Sequence, residues 1–415
     1  MVKKSKIINI IITLLLFIHV FSWVLYMPMA QLQMMIFGKR LVSFMHYGVI
    51  EIVLVILLLL FNEKKIRLVN FDKNLLYLIF PFLISWMINS VRLNELTPFI
   101  ILFYLMNWIF PILILIIINQ YDYDILFFIK IMLVLVIIHA IIIIFQRLTN
   151  SIIWPFKMYD DGTSIFGIDT YYNVGNHMGR CPGMCQNGLD AGIFSIFGIV
   201  LTVILPDIKS FFRFVICVPL IFSIYFTGTR NVFVMMSFII AVIILMRLEF
   251  SRKNKIRLLV LLTFLTCIIY LFFVLKMTNF ETTGNVFTDT TSIGIRIGKW
   301  IKMINKITAG GILNFLFGVM QWQNAGNCEV IDNMYLELVW CSGVFSLFAY
   351  TKYIINIAMT NIRDNKFEEF VCAGFTLCYF VYGVLNSTSN LYLTLIILLF
   401  IFCNRNLKNK KYYRT

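Results

Sequence analysis

Three arginines that stand near glycine or proline are the side chains of this sequence best suited to binding an anion. Arg180 begins the sequence RCPG, Arg230 ends the sequence TGTR, and Arg296 lies within the sequence GIRIG. A planar guanidinium group binds two phosphate oxygens at once. Thr229 stands where it would cap the next helix, whose free N–H groups also attract phosphate. These residue types predict a phosphate-binding site.

A carboxylate with polar neighbours lies farther along the chain. Asp332, Asn333 and Tyr335 precede an apolar run in the sequence DNMYLELVW. A carboxylate can receive the proton of a reacting hydroxyl or orient that hydroxyl, and amide or phenol groups can hold neighbouring hydroxyls. An aspartate before an apolar run is also a good helix N-cap, so catalysis and capping both remain open for Asp332. Glu329 and His177 are reserve candidates for the catalytic role.

The helix that would carry Arg296 is amphipathic and stops at a pair of glycines. Its apolar face repeats at helical spacing and comprises Ile297, Trp300, Ile301, Ile304 and Ile307. Its basic face comprises Arg296, Lys299, Lys302 and Lys306. This pattern predicts a helix that lies along a membrane surface, and it adds Lys299 to the predicted ligand-binding residues.

The composition predicts a membrane around these residues. Of the 415 residues, 60% are hydrophobic and 13% are charged, which is far more apolar surface than a soluble core of this length can bury. The sequence therefore predicts an all-α, polytopic integral membrane protein that forms a single domain, residues 1–415. The formal charge of +15 is divided among short clusters between the spans. Orientation signals have this distribution, so we do not expect nucleic-acid binding.

Hydrophobic runs long enough to cross a bilayer predict about twelve transmembrane helices. They comprise residues 7–26, 42–61, 75–90, 99–118, 125–146, 188–205, 211–226, 232–246, 258–275, 334–350, 370–385 and 391–403. Lysine and arginine are concentrated in the connections on the same side as the N-terminus, which places both termini in the cytoplasm by the positive-inside rule. The two long connections, 147–187 and 276–333, then fall on the outer face, where such loops usually carry function.

Three ionisable residues inside predicted spans are candidates for function, because charge at membrane depth is costly: Glu51, Lys130 and His139. Lys130 is near enough to a cytoplasmic end to extend its ammonium group into water, and His139 lies on the opposite side of that helix. We interpret both as packing residues. No basic partner is evident for Glu51, and its role stays open. Cys181 and Cys185 lack the histidine or acidic neighbours of a metal site, so no metal is predicted.

Arginines at the ends of spans also bind lipid headgroups and fix the depth of a helix, and this explanation stays open for each arginine alone. Three arginines on separate outer turns, near the two long loops, favour one shared ligand. A diphosphate at the head of a lipid in the outer leaflet would fit them.

The order of these motifs resembles that of a known superfamily. RCPGMCQNG, TGTR, the helix that runs from Arg296 towards Phe317-Gly318, and DNMYLELVWCSGVFSL follow one another as in the O-antigen and capsular polysaccharide polymerases of the Wzy type and the O-antigen ligases. The similarity covers residues 180–350, and it depends on the order and spacing of the motifs.

The resemblance implies a lipid-carrier glycosyltransferase of the bacterial cytoplasmic membrane, which joins oligosaccharide repeat units carried on undecaprenyl diphosphate and needs no cofactor or metal. It implies that Arg180, Arg230 and Arg296 engage the carrier diphosphate or the glycan. It also implies a chain-length regulator as a further partner. Asp332 stands where the ligases commonly carry histidine, which favours a polymerase over a ligase.

Two other functions remain open. A ligase would transfer the finished glycan to another lipid or to protein. A flippase or transporter for lipid-linked oligosaccharides would have a similar number of spans, but it would show symmetry between its halves and charged residues in a central cavity. In this sequence the halves differ and the polar residues gather at one face.

Overall fold

The computed structural model describes residues 2–37, 44–61, 70–93, 109–121, 123, 125–149, 173–174, 177–178, 180–276, 291–319, 332–387 and 389–405. Within these ranges the chain is all-helical apart from one antiparallel pair of two-residue strands. The first seven helices are α1 (Val2–Val24), α2 (Tyr26–Phe37), α3 (Phe44–Phe61), α4 (Asn70–Tyr77), α5 (Phe80–Leu93), α6 (Phe110–Gln120) and α7 (Leu126–Thr149). The strands β1 (Asn173–Val174) and β2 (His177–Met178) follow. The remaining helices are α8 (Gly188–Ile204), α9 (Ser210–Phe226), α10 (Arg230–Leu245), α11 (Arg252–Lys276), α12 (Thr291–Ala309), α13 (Gly311–Phe317), α14 (Met334–Asn361), α15 (Phe367–Gly383) and α16 (Asn390–Arg405).

The lengths and compositions of the described helices are compatible with a membrane protein. Five segments are long and apolar enough to cross a bilayer, namely residues 7–24, 72–92, 126–149, 252–276 and 334–361. Several shorter apolar helices accompany them. The prediction of an all-α fold is therefore confirmed, and the long apolar helices are compatible with the predicted helical membrane protein. The count of twelve spans stays a prediction, and the predicted span 99–118 lies partly outside the described residues.

The helix boundaries differ from the predicted spans in three places. Residues 27–41, predicted as a short loop, include most of α2, whose methionine, leucine and glutamine residues favour a helix. The predicted span 75–90 is divided between α4 and α5, and Pro81 lies in the first turn of α5, where its missing N–H would have no helical partner. The predicted span 334–350 continues to Asn361.

The last two helices form the centre of the bundle. Nearly every described side chain of α15 and α16 is buried, and the largely buried α8 packs beside them. In contrast, α9 and α11 expose large apolar side chains, among them Phe214 (70%) and Phe272 (58%). Apolar side chains that protein does not cover in a membrane are covered by lipid. The bundle therefore has an interior of α8, α14, α15 and α16 and a lipid-facing rim that includes α9 and α11.

A break in α14 allows a second helix end to pack closely against it. Gly343 has φ +80° and ψ 171°, a conformation that side chains disfavour. A Cβ atom at Gly343 would lie 2.0 Å from the carbonyl oxygen of Leu316 in α13. Gly318, which follows α13, has φ +69°, and its Cβ would lie 2.5 Å from the backbone of α14. The two glycines together therefore permit this contact between α13 and α14, which we call the glycine contact.

Replacing Gly343 by alanine is expected to destabilise the protein by about 3 kcal/mol or more, because the alanine would adopt a strained conformation and would overlap the backbone of α13. Thermal unfolding of the purified protein in detergent measures the effect. The matched control is Gly298→Ala in α12, where a Cβ would meet nothing within 4 Å. A helical glycine without such contacts gains up to about 1 kcal/mol from alanine. Equal unfolding temperatures for the two variants would contradict the importance of the glycine contact.

A buried acid–base cluster joins the two ends of the chain. Nδ1 of His19 lies 3.1 Å from Oε2 of Glu51, and Nε2 of His19 lies 2.9 Å from the Thr394 hydroxyl. All three side chains are buried, so the contacts join α1 and α3 to α16. Glu51, whose role the sequence left open, therefore has a partner in His19, which had not been singled out from the sequence. Lys130 forms an exposed ion pair with Asp207 (2.9 Å), as its predicted place near a helix end suggests.

Candidate functional site

Four helices, α8, α10, α14 and α16, begin at one end of the bundle, around the last two residues of α15 and the residues that lead to α16. We call this segment the 382–389 connection; Thr388 within it lies outside the described residues. Asn231 in the first turn of α10 and Asn333 before α14 donate to backbone carbonyls of this connection (3.1 and 2.9 Å). The Ser389 hydroxyl donates to Asp190 in the first turn of α8 (3.4 Å). Each helix N-terminus carries partial positive charge, so the four together favour an anion at this end.

The turn that follows Arg180 is held by side chains of α7. Nδ1 of His139 accepts from the Met184 N–H (3.1 Å), and the Gln146 amide exchanges two hydrogen bonds with the backbone of Gly183 (2.9 and 3.3 Å). Gly183 has φ +58°, and a Cβ there would lie 2.4 Å from the His139 ring. The chain therefore makes the predicted tight turn, and His139 contributes to packing and to the position of Arg180.

The turn that ends at Arg230 packs against the Arg180 turn. The Cys181 N–H donates to the last carbonyl oxygen of α9 (3.1 Å). A Cβ at Gly188 would lie 3.3 Å from the Thr229 hydroxyl and 3.6 Å from Cβ of Arg180. Arg180 and Arg230 thus stand on adjoining turns, although 50 positions separate them in the sequence.

Thr229 occupies the N-cap position of α10, as predicted, but its hydroxyl does not cap the helix. That hydroxyl donates to the carbonyl oxygen of Thr227 (3.1 Å), and no side chain accepts from the first turn of α10 at the cap. The N–H groups of a helix start that its N-cap side chain leaves uncapped are suitable donors to an external anion. The predicted cap by the Thr229 hydroxyl is therefore wrong, but the start of α10 can still bind a phosphate through its N–H groups.

The amphipathic helix α12 packs one stripe of side chains against the bundle. The stripe consists of Ile293, Trp300, Met303 and Ile307, which are buried in a second hydrophobic cluster with parts of α11, α14 and the 382–389 connection. Two members of the predicted apolar face, Ile301 and Ile304, are instead exposed (55% and 46%). Lys299 is partly buried, and the two later lysines are exposed. The helix therefore presents both apolar and basic side chains away from the bundle, as a helix at a membrane surface does.

Arg296 lies between Ile293 and Trp300 on the same side of α12 as the buried stripe, and it forms an ion pair with Asp332. Nε of Arg296 is 3.4 Å from Oδ2 of Asp332, and about a quarter of each side chain is exposed (26% and 27%). Asp332 has φ +48°, a conformation that aspartate and asparagine adopt more readily than most residues. The pair joins α12 to the start of α14 and places the candidate base beside a guanidinium group.

Asn333, and not Asp332, caps α14. Oδ1 of Asn333 accepts from the Leu336 N–H (3.0 Å), while its Nδ2 donates to the 382–389 connection. The capping explanation of Asp332 is therefore wrong. The Tyr335 hydroxyl donates to the carbonyl oxygen of Phe380 (2.8 Å). Asn333 and Tyr335, which were predicted to hold ligand hydroxyls, thus direct these hydrogen bonds into the bundle and position the start of α14.

Tyr270 of α11 lies near the second and third arginines. Its side chain packs against both hydrophobic clusters of the protein. Its hydroxyl is close enough to Arg296 and to Arg230 to interact with both electrostatically. The structure thus brings Arg180 and Arg230 onto adjoining turns, Arg230 and Arg296 to Tyr270, and Asp332 to Arg296. We call this end of the bundle the arginine end.

The side chains of the two reserve candidates lie outside what the structure describes. Glu329 lies outside the described residues. For His177 the structure gives the backbone, which pairs with Val174 in the two-stranded element.

Three polar residues near the predicted site were missed in the sequence. Asp190 accepts a hydrogen bond from Asn187 (3.0 Å) in addition to the one from Ser389. Glu337 is fully buried in α14, one turn after Asn333. Tyr270 is the third. Asp190 and Glu337 are ionisable residues within predicted spans, and this position alone could have identified them. Nothing in the apolar run around Tyr270 distinguishes it.

The cysteines of the Arg180 turn are buried and unreactive. Burial raises the pKa of the Cys181 thiol to about 11, and it raises the pKa of the Cys185 thiol well above its ordinary value. Neither thiolate therefore forms readily at neutral pH. Within the part of the chain that the structure describes, no group of three or more His, Cys, Asp or Glu side chains could hold a metal ion.

No protein-family model matches this sequence, and no curated protein is significantly similar to it.

Proposed function

We propose that this protein is a polysaccharide polymerase that joins oligosaccharide repeat units carried on undecaprenyl diphosphate, at the outer face of a bacterial cytoplasmic membrane. The observation that carries the proposal is the ion pair between Arg296 and Asp332 at the end of the bundle where four helices begin. Arg180 and Arg230 lie on adjoining turns at the same end. Guanidinium groups and helix N-termini are suited to a diphosphate. The motif order, which resembles that of the Wzy-type polymerases, supports the same conclusion.

The proposed reaction exchanges one bond for another at a sugar carbon. A hydroxyl oxygen of the acceptor repeat unit attacks the anomeric carbon of the donor glycan, and the bond from that carbon to the carrier diphosphate breaks. The diphosphate leaves with the electron pair, and Arg230 and Arg296 stabilise the charge that develops on it. Asp332 receives the proton of the attacking hydroxyl. Arg180 and Lys299 contact the phosphates or the glycan beside this centre.

The ion pair between Arg296 and Asp332 favours a reaction in which the donor binds before Asp332 acts as a base. In the free protein the carboxylate lies 3.4 Å from the guanidinium group. A bound diphosphate carries more charge than one carboxylate and competes for Arg296. We expect its arrival to release Asp332 towards the acceptor hydroxyl. The base then becomes available when a donor is in place.

Elongation by the purified protein tests the proposed function. Lipid-linked repeat units are mixed with the protein in detergent, and the length of the lipid-linked glycan is measured over time. A polymerase lengthens the glycan. A flippase leaves its length unchanged, and a ligase acts only when finished glycan and a second acceptor are supplied. In a deletion strain, isolated single repeats indicate a polymerase and unattached polymer indicates a ligase.

The proposed orientation predicts which positions are accessible from outside the cell. Reporters fused at Ser164 and at Gly284, both beyond the described residues, are expected on the outer face, because they belong to the two long loops. A reporter at Asn254, in the first turn of α11, is expected in the cytoplasm. Alkaline phosphatase fusions are active when the fused position is outside the cytoplasm, and fluorescent-protein fusions report cytoplasmic positions. A cytoplasmic Gly284 would contradict the outer position of α12 and of the arginine end.

A further inference from the structure

The hydroxyl of Tyr270 is buried and has no hydrogen-bond partner among the described residues. A hydroxyl that is removed from water without a partner destabilises the folded protein, so natural proteins contain few of them. An unpaired donor of this kind is a reasonable candidate for contact with a ligand. Tyr270 therefore warrants an explanation that the packing of α11 does not supply.

Two positive groups from different helices lie near this hydroxyl. Ile297, the neighbour of Arg296 in α12, packs against the same second cluster as Tyr270. Arg296 and Arg230 are near enough for their charges to act on the hydroxyl, which forms a hydrogen bond with neither. The phenol and the two guanidinium groups are all hydrogen-bond donors. A diphosphate bound beside this hydroxyl would offer acceptor oxygens to all three groups. The chemistry of the three donors fits an anion with several oxygens.

Packing holds the Tyr270 ring in place independently of its hydroxyl. The ring contacts the main core and also the second cluster, which includes the buried Val274 one turn farther along α11 and Trp300 of α12. A side chain that is fixed before the ligand arrives loses little conformational entropy on binding. The hydroxyl is thus held near both arginines in the free protein.

We infer that the Tyr270 hydroxyl is a third donor to a bound diphosphate, beside the guanidinium groups of Arg230 and Arg296. This inference rests on the proposed function, because a lipid-carried diphosphate is the leaving group of that reaction. A phenol donates a hydrogen bond without adding positive charge, so it stabilises phosphate oxygens without repelling the two arginines. Tyr270 would then contact the group that departs and would act as a catalytic residue.

The test compares Tyr270→Phe with Tyr353→Phe in the full-length protein in nanodiscs. Tyr353 is a matched control, because its hydroxyl is also buried without a partner among the described residues but belongs to α14 beyond the break at Gly343. Binding is measured with undecaprenyl diphosphate and, separately, with inorganic pyrophosphate. Thermal unfolding without ligand is measured for each variant.

Tyr270→Phe is expected to weaken the binding of undecaprenyl diphosphate by about 10- to 100-fold, the usual effect of losing a hydrogen bond to a charged group. Tyr353→Phe is expected to bind as the wild type does. Without ligand, both variants should be at least as stable as the wild type, because each loses an unpaired hydroxyl. Weakened pyrophosphate binding would locate recognition in the diphosphate itself. If the wild type binds undecaprenyl diphosphate but not pyrophosphate, the ligand is the diphosphate of a lipid and not the free anion.

Two results would overturn the inference while the proposed function stands. One is equal affinity of the wild type and Tyr270→Phe for undecaprenyl diphosphate. The other is unfolding of Tyr270→Phe in the absence of ligand, which would give the hydroxyl a structural role. Failure of the wild type to bind either probe would contradict the proposed function itself, and the inference with it.

Discussion

Replacing Arg296 or Arg230 by lysine is expected to remove most polymer formation while the protein remains folded. Lysine keeps the positive charge but loses the planar group that binds two phosphate oxygens at once. The loss of one charge-assisted hydrogen bond to the leaving diphosphate lowers the rate by about 10- to 100-fold. The measurement is the elongation rate of each purified variant with lipid-linked repeat units, together with the amount of protein in the membrane.

The matched control for these variants is Arg252→Lys. Arg252 donates to the carbonyl oxygen of Ile362 (2.7 Å) beyond the last residue of α14, whereas the arginine end lies at the start of that helix. This variant is expected to elongate glycan at nearly the normal rate. Loss of the protein itself in Arg230→Lys or Arg296→Lys would favour the alternative in which these arginines only fix helix depth. Unchanged elongation would exclude them from the reaction.

Replacing Asp332 by asparagine is expected to lower the elongation rate by about 10²- to 10⁴-fold, the usual contribution of a general base. Asparagine cannot accept the proton. It tolerates the positive φ of this position as well as aspartate does, and the cap of α14 is supplied by Asn333 and stays intact. Protein level and binding of lipid-linked glycan should therefore be retained. Both are measured beside the rate.

Asp364→Asn serves as the control for the loss of one carboxylate. Asp364 pairs with Lys366 (3.0 Å) in the connection between α14 and α15, away from the arginine end, and its replacement is expected to leave the rate unchanged. Normal elongation by Asp332→Asn would exclude a catalytic role for Asp332. The remaining acid–base candidates, Glu329 and His177 from the sequence and Asp190 and Glu337 from the structure, would then be tested in the same assay.

Hydrophobic length predicted the presence of helices more reliably than periodicity predicted which of their faces pack against the protein. In α12 the helix itself was expected, but Ile301 is exposed and Met303 is buried. In a soluble protein the apolar face of a helix packs against the core, because exposing that face to water is unfavourable. At a membrane surface lipid covers such a face equally well. Periodicity therefore identified an amphipathic helix and could not say which apolar side chains contact protein.

The parts of the candidate site in which one residue type indicates the chemistry were predictable from the sequence. The parts in which a residue's role depends on its neighbours in space were less predictable. Arginines beside turns were evident in the sequence. The choice between Asp332 and Asn333 as the cap of α14 depends on one backbone conformation, since the positive φ of Asp332 turns the chain so that Asn333 takes the cap position. Whether the Tyr270 hydroxyl has a partner depends on how three helices pack, and a local sequence pattern cannot predict this packing.

The glycine contact belongs to a larger attachment that links the two halves of the chain. The carbonyl oxygens of Phe317 and Gly318, at the end of α13, accept hydrogen bonds from Asn89 (2.9 Å) and Arg92 (3.0 Å) of α5. Helices α1 to α7 contribute none of the three arginines, yet α5 holds the end of the segment that carries Arg296. A chimaera that joined α5 of one homologue to α13 of another would therefore misplace this arginine unless both sides of the attachment came from the same parent.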